Sequence, residues 1–172
     1  GQQPVVVQAL RSKVEAEKDD QRRCGLLREL VRAGQPEWSS GMMRILSDKQ
    51  SNGRVHAAES LYKVGWTGSG KAIDRAFSET DDIRLKLMAG AALAKYGQGE
   101  EQAAAFEFLR STLSESDDGT VVQLSAWILG RVGSDEDRAS IRSRLPDVSD
   151  ALEKAYLEHA LADQDLGLNF TQ

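Results

Sequence analysis

The chain has 172 residues, 40% of them hydrophobic and 28% charged, and a net charge of −5, values that fit one globular domain with a core of its own. No run of 18 apolar residues occurs, which excludes a transmembrane helix. A single cysteine, Cys24, and two distant histidines, His56 and His159, exclude an internal disulfide and a multi-cysteine or paired-histidine metal site.

The chain opens on Gly1 rather than Met, so the expectation is a trimmed start and a module of a larger protein; a cleaved tag, a removed signal peptide and an excised domain all fit, and the compartment stays open. Residues 4–18 place Val7, Leu10 and Val14 at helical spacing and predict a lone leading helix. A periodic pattern follows. Four segments end on Gly34, Gly65, Gly97 and Gly133, at steps of 31, 32 and 36 residues. Four positions before each glycine stands a leucine (Leu30, Leu61, Leu93, Leu129), and seven before it stands Leu27, Ala58, Gly90 or Ala126. These offsets lie on one helical stripe. Each glycine is expected to end its helix in the left-handed region.

A second helix is predicted after each glycine from an i, i+4 apolar pair: Met42 and Leu46, Ile73 and Phe77, Leu109 and Leu113, Ile141 and Leu145. Acidic breaks separate the pairs, and an Asp in such a break can cap the next helix. The predicted repeats cover about 20–50, 51–82, 83–118 and 119–148, and Leu152, Leu157 and Leu161 predict a trailing helix over 150–163. The expected fold is therefore all-α, about ten helices in a single domain, with no strand. One α-hairpin of this length cannot bury its apolar stripe alone, and stacking hairpins makes a continuous core.

The line Arg54, Ala57, Ala58, Leu61, Gly65 resembles the short HEAT repeat, including the version in phycobilisome-lyase-like proteins, and the resemblance covers roughly residues 20–163. It implies an α-α superhelix whose second helices line a concave groove. It also implies a charged pair between an Asp ahead of the first helix and a basic residue within it, here Asp48 with Arg54 and, more loosely, Asp81 or Asp82 with Lys86. The groove candidates are Arg44, Lys71, Asp74, Arg75, Arg110, Arg138 and Arg142, and the candidate exposed anchors are Trp38 and Trp66. The function expected is a non-enzymatic scaffold that binds a protein or peptide, with no cofactor. The family's pigment lyases imply the alternative, a lyase-type or ligand-handling enzyme.

Other motifs are weaker. Gly65 to Lys71 matches G-x-x-x-x-G-K, but Ala72 follows where a phosphate loop needs a hydroxyl, and a helix rather than a strand precedes it. Residues 1–86 hold 15 basic and 12 acidic side chains, residues 87–172 hold 7 and 15, and the acidic second half works against nucleic-acid binding. Cys24 reads as a small buried apolar group. Asn169-Phe170-Thr171 fits a glycosylation sequon, and no nucleophile–base pair stands at catalytic spacing.

Overall fold

The structure is a computed structural model and describes residues 3–165; the Asn169 sequon lies outside the described residues. Ten α-helices form, and no strand occurs among the described residues. In chain order they are α1 (Gln3–Ala16), α2 (Asp20–Arg32), α3 (Ser39–Ser47), α4 (Arg54–Val64), α5 (Lys71–Glu79), α6 (Ile83–Tyr96), α7 (Gly99–Glu115), α8 (Gly119–Val132), α9 (Asp135–Arg144) and α10 (Ala151–Asp165). Pro36 and Pro146 each sit in a short 3-10 turn, at Pro36–Trp38 and Leu145–Asp147.

The chain divides into two compact units, Gly1–Gly97 and Gln98–Gln172, so the boundary falls between α6 and α7. In the first unit α2, α4 and α6 pack side by side, α3 and α5 pack on them and on each other, and α1 lies on α2. The leucine stripe forms this core: Leu27, Leu30, Leu61 and Leu93 are buried, as are Met42, Leu46, Ile73 and Phe77 of the second helices. α6 is buried continuously from Leu87 to Ala94, as expected of a helix segment that is apolar on every side. In the second unit α8 packs against α7 and α10, and α9 lies on α7, α8 and α10. Leu109, Leu113, Ala126, Leu129, Ile141 and Leu157 are buried there. Leu145, the last predicted apolar partner, falls in the 3-10 turn and is half-buried.

Aspartates cap where the breaks predict them. Asp82 accepts from the Arg84 and Leu85 amides at 2.9 and 3.3 Å, and Asp118 from Thr120 and Val121 at 2.8 and 3.3 Å. Such a carboxylate satisfies amides that have no partner within the helix. Asp19 does the same for α2, and its bond from the Arg22 amide holds its pKa below the ordinary carboxylate value. The break before α4 differs. Asp48 stands too far from the helix start to cap it and instead accepts from the Gln50 amide, while Gly53 occupies the cap position.

The terminating glycines fall into two kinds. Gly34 and Gly65 take the left-handed stop, with φ of 83° and 75°. Gly97 and Gly133 do not: their backbones are extended, although each N–H still closes on the leucine four residues earlier, at 2.8 Å. These two positions need glycine for room. A Cβ at Gly97 would stand 2.5 Å from the Leu93 carbonyl oxygen, and one at Gly133 would collide with the Leu129 carbonyl and the Asp137 carboxylate.

Candidate functional site

On α3, the inward residues Met42, Ile45 and Leu46 fix the helix against the core, and Arg44 therefore points out. Beside it lies a hollow of about 420 Å³. Buried Val14, Leu27 and Ile45 give it an apolar floor, Gly41 lies against Leu27, and Trp38 forms one wall. Its polar rim is Glu15, Asp20, Arg23, Arg44 and Asp48. Most of those groups are already engaged. Arg23 lies 2.9 Å from Asp20 and also donates to the Glu17 carbonyl, and Asp20 accepts from the Ser51 hydroxyl at 2.7 Å. Arg44 is exposed and has no ion pair among the described residues. Trp38 is half-buried rather than free, because its ring also receives the Arg11 guanidinium 5.8 Å from its centroid.

A second hollow, of about 270 Å³, lies between α3 and α5. Arg75 lines it with Lys49 and Glu79, and both cations reach Glu79 at 3.7 Å. Arg54 also borders it, donating to the Leu46 carbonyl at 2.9 Å. The Asp48–Arg54 charge pair therefore does not form: the longer break carries Asp48 to Gln50, and Arg54 is held by a backbone carbonyl. The Lys86 ammonium, the looser match, stands over the Phe77 ring at 5.6 Å. Lys71 and Asp74 are exposed in the first turn of α5. Arg110, Arg138 and Arg142 belong to the second unit.

Arg110 is committed to a structural contact. Its guanidinium donates twice to Asp137, at 2.6 and 3.2 Å, and the Ser134 amide and hydroxyl donate to the same carboxylate at 2.7 and 3.1 Å. The Asp137 side chain is 0% exposed and that of Arg110 39%. Burial alone would raise the Asp137 pKa, but the bonds from Arg110 and Ser134 outweigh it and hold the carboxyl below its ordinary value of 3.8. Arg138 is half-buried and Arg142 exposed, both on α9.

The second anchor, Trp66, is also half-buried. It meets Tyr96 edge-to-face, with centroids 5.7 Å apart, and Gly70 folds against its indole. Lys95 lies 5.1 Å from the Tyr62 ring centroid and 5.0 Å from that of Tyr96, and burial lowers its pKa. The loop from Gly65 to Lys71 thus packs on aromatic rings and joins two helices. Cys24 is fully buried, its thiol is pushed up to about 12 by burial, and its Sγ points at the Gly53 carbonyl, 3.7 Å away; such a thiol is inert.

Among the described residues, no group of three or more His, Cys, Asp or Glu side chains is placed to hold a metal ion. No helix there is long and apolar enough to cross a membrane. Compared with family models, with curated proteins and with solved structures, the chain matches none. Of the sequence candidates, the structure brings Trp38 and Arg44 to one hollow. The hollow's floor and its α1 wall were not foreseen, since Val14 reads from sequence only as part of a leading helix.

Proposed function

We propose that the chain is a non-enzymatic protein- or peptide-binding module built as a HEAT-like α-α superhelix. The regular α-hairpins and the side-by-side packing of α2, α4 and α6 support the repeat reading. One observation carries the binding reading: Arg44, an uncommitted guanidinium, shares an apolar-floored hollow with Trp38. Arginine and tryptophan are the residue types that dominate binding energy at interfaces. A guanidinium fork matches a carboxylate in two-point geometry. The partner segment is therefore one that presents a carboxylate beside an apolar side chain, with the apolar group on the Val14–Ile45 floor.

A displayed peptide library tests this. Selected binders should contain Asp or Glu next to a large apolar residue. Their affinity should fall at least about tenfold on Arg44→Glu and on Trp38→Ala, as for hot-spot truncations of more than about 1 kcal/mol. Binders indifferent to both substitutions would refute the site.

A further inference from the structure

Between α1 and α2 lies a groove of about 740 Å³, floored by Ala16, Gly25 and Leu26. Nothing stands over Gly25: a Cβ added there would meet no atom within 4 Å. The floor is therefore small, apolar and open to a side chain from another molecule.

The rim holds the cations Lys13, Lys18, Arg22 and Arg28 and the carboxylates Glu17 and Glu29. The carboxylates are satisfied from within the chain. Glu17 accepts from the Lys18 and Asp19 amides, each at 2.9 Å, and meets Arg22 at 3.2 Å. Glu29 meets Arg28 at 3.4 Å and Arg32 at 2.8 Å. The cations are not satisfied. Lys13 and Lys18 are exposed and form no ion pair among the described residues. Arg22 and Arg28 reach their carboxylates through Nε, and the terminal nitrogens of neither form a hydrogen bond among the described residues. Unmatched positive charge thus flanks an uncovered apolar floor.

We infer that the groove takes an acidic segment of a partner protein, its carboxylates on Lys13, Lys18, Arg22 and Arg28 and an apolar side chain on the floor between them. A carboxylate complements both kinds of cation, in two-point geometry at a guanidinium and as a single charge at an ammonium. Complementary charge selects the partner and sets its register, and burial of the apolar side chain adds affinity. Nucleic acid fits less well. It needs phosphate contacts along an extended surface, whereas these cations surround one groove with two carboxylates among them. A lipid surface also fits less well, because Gly25 and Leu26 are half-buried and the rim offers no large apolar side chain to insert. The groove shares no lining residue with the Trp38–Arg44 hollow, so either reading can fail without the other.

Amide chemical shifts of the isotope-labelled full chain, followed on titration with an end-blocked peptide of repeating Glu-Glu-Leu, test it. The Lys18, Gly25 and Leu26 amides should shift saturably, with a Kd below about 1 mM. The affinity should fall at least about fivefold when salt is raised from about 0.05 to 0.5 M, because exposed charges are screened. An all-Glu peptide, which leaves the floor uncovered, should bind at least about threefold more weakly. Lys13→Glu with Lys18→Glu should lower the affinity at least about tenfold while the circular dichroism remains that of the unaltered chain. Arg44→Glu should leave the groove shifts as they are and remove any at Gly41 and Ile45. The proposal would be overturned by a Glu-Glu-Leu peptide that shifts none of the groove amides, an all-Glu peptide that binds as well, or a folded lysine variant that binds as the unaltered chain does. It would equally be overturned by groove shifts lost on Arg44→Glu, or by a single-stranded RNA or a phosphatidylcholine–phosphatidylserine vesicle that occupies the groove at lower concentration than the peptide.

Discussion

Replacing Arg110 with Ala should destabilise the second unit by about 3 kcal/mol, measured by urea unfolding at pH 7. Asp137 is the reason. Its carboxylate is fully buried, and Arg110 supplies two of its four hydrogen bonds. Without the guanidinium, a buried charge is left with the Ser134 amide and hydroxyl alone. Breaking a buried pair from one side costs about 3–5 kcal/mol, and the partial exposure of Arg110 sets the lower end. Changing both residues, Arg110→Met with Asp137→Leu, should cost less than Arg110→Ala alone, since no orphaned charge remains.

The same pair fixes the sign of an acid dependence. The folded Asp137 pKa lies below its ordinary value of 3.8. In the interval between the folded and unfolded pKa, the unfolded chain binds more protons than the folded one. The stability Asp137 contributes is therefore fully present above the unfolded pKa and is lost as pH falls through the folded one. Unfolding followed from pH 5 down to about 2 should show this loss, and Arg110→Ala should flatten it by removing a main cause of the depression. An equally steep acid slope in the variant would show that Arg110 does not hold the carboxyl down.

This pair also marks where reading the sequence stops. Arg110 sits on the outward side of the Leu109–Leu113 face, and from that side alone it reads as groove lining. Its partner lies 27 residues away, on α9. Only the packing of α9 on α7 brings them together, and Gly133 leaves the space the carboxylate fills. One local signal was present, the Ser134–Asp137 capping box. By contrast, the helices, the buried leucines and the caps at Asp82 and Asp118 were legible because each depends on spacing within one turn or one break. The hollow beside Arg44 was half legible. Helical phase turns Arg44 outward, but the floor needs Val14 and Leu27 from two other helices. Similarly, a helix-ending glycine says nothing of whether it serves φ, as Gly65 does, or room, as Gly133 does.

Two glycines inside helices, changed in the same way, separate a glycine kept for room from one that no neighbour requires. Gly130→Ala should destabilise the chain by about 2–3 kcal/mol, and Gly25→Ala should stabilise it by about 0.5–1 kcal/mol. Gly130 lies where α8 meets α10, and a Cβ there would stand 2.6 Å from the Ala160 carbonyl oxygen and 3.1 Å from the Ala160 Cβ. The obstacle is backbone, so no rotamer change relieves it; α10 must move away from α8, taking with it the contacts of buried Leu157. Gly25 has ordinary helical backbone in the middle of α2, and the space its Cβ would enter is open. There the methyl group removes conformational freedom from the unfolded chain and meets nothing in the folded one. Thermal melts of the two variants should thus move in opposite directions. A Gly130→Ala protein as stable as the unaltered chain would mean that α8 and α10 do not approach at that point, and that Leu157 and Ala160 are not buried between them.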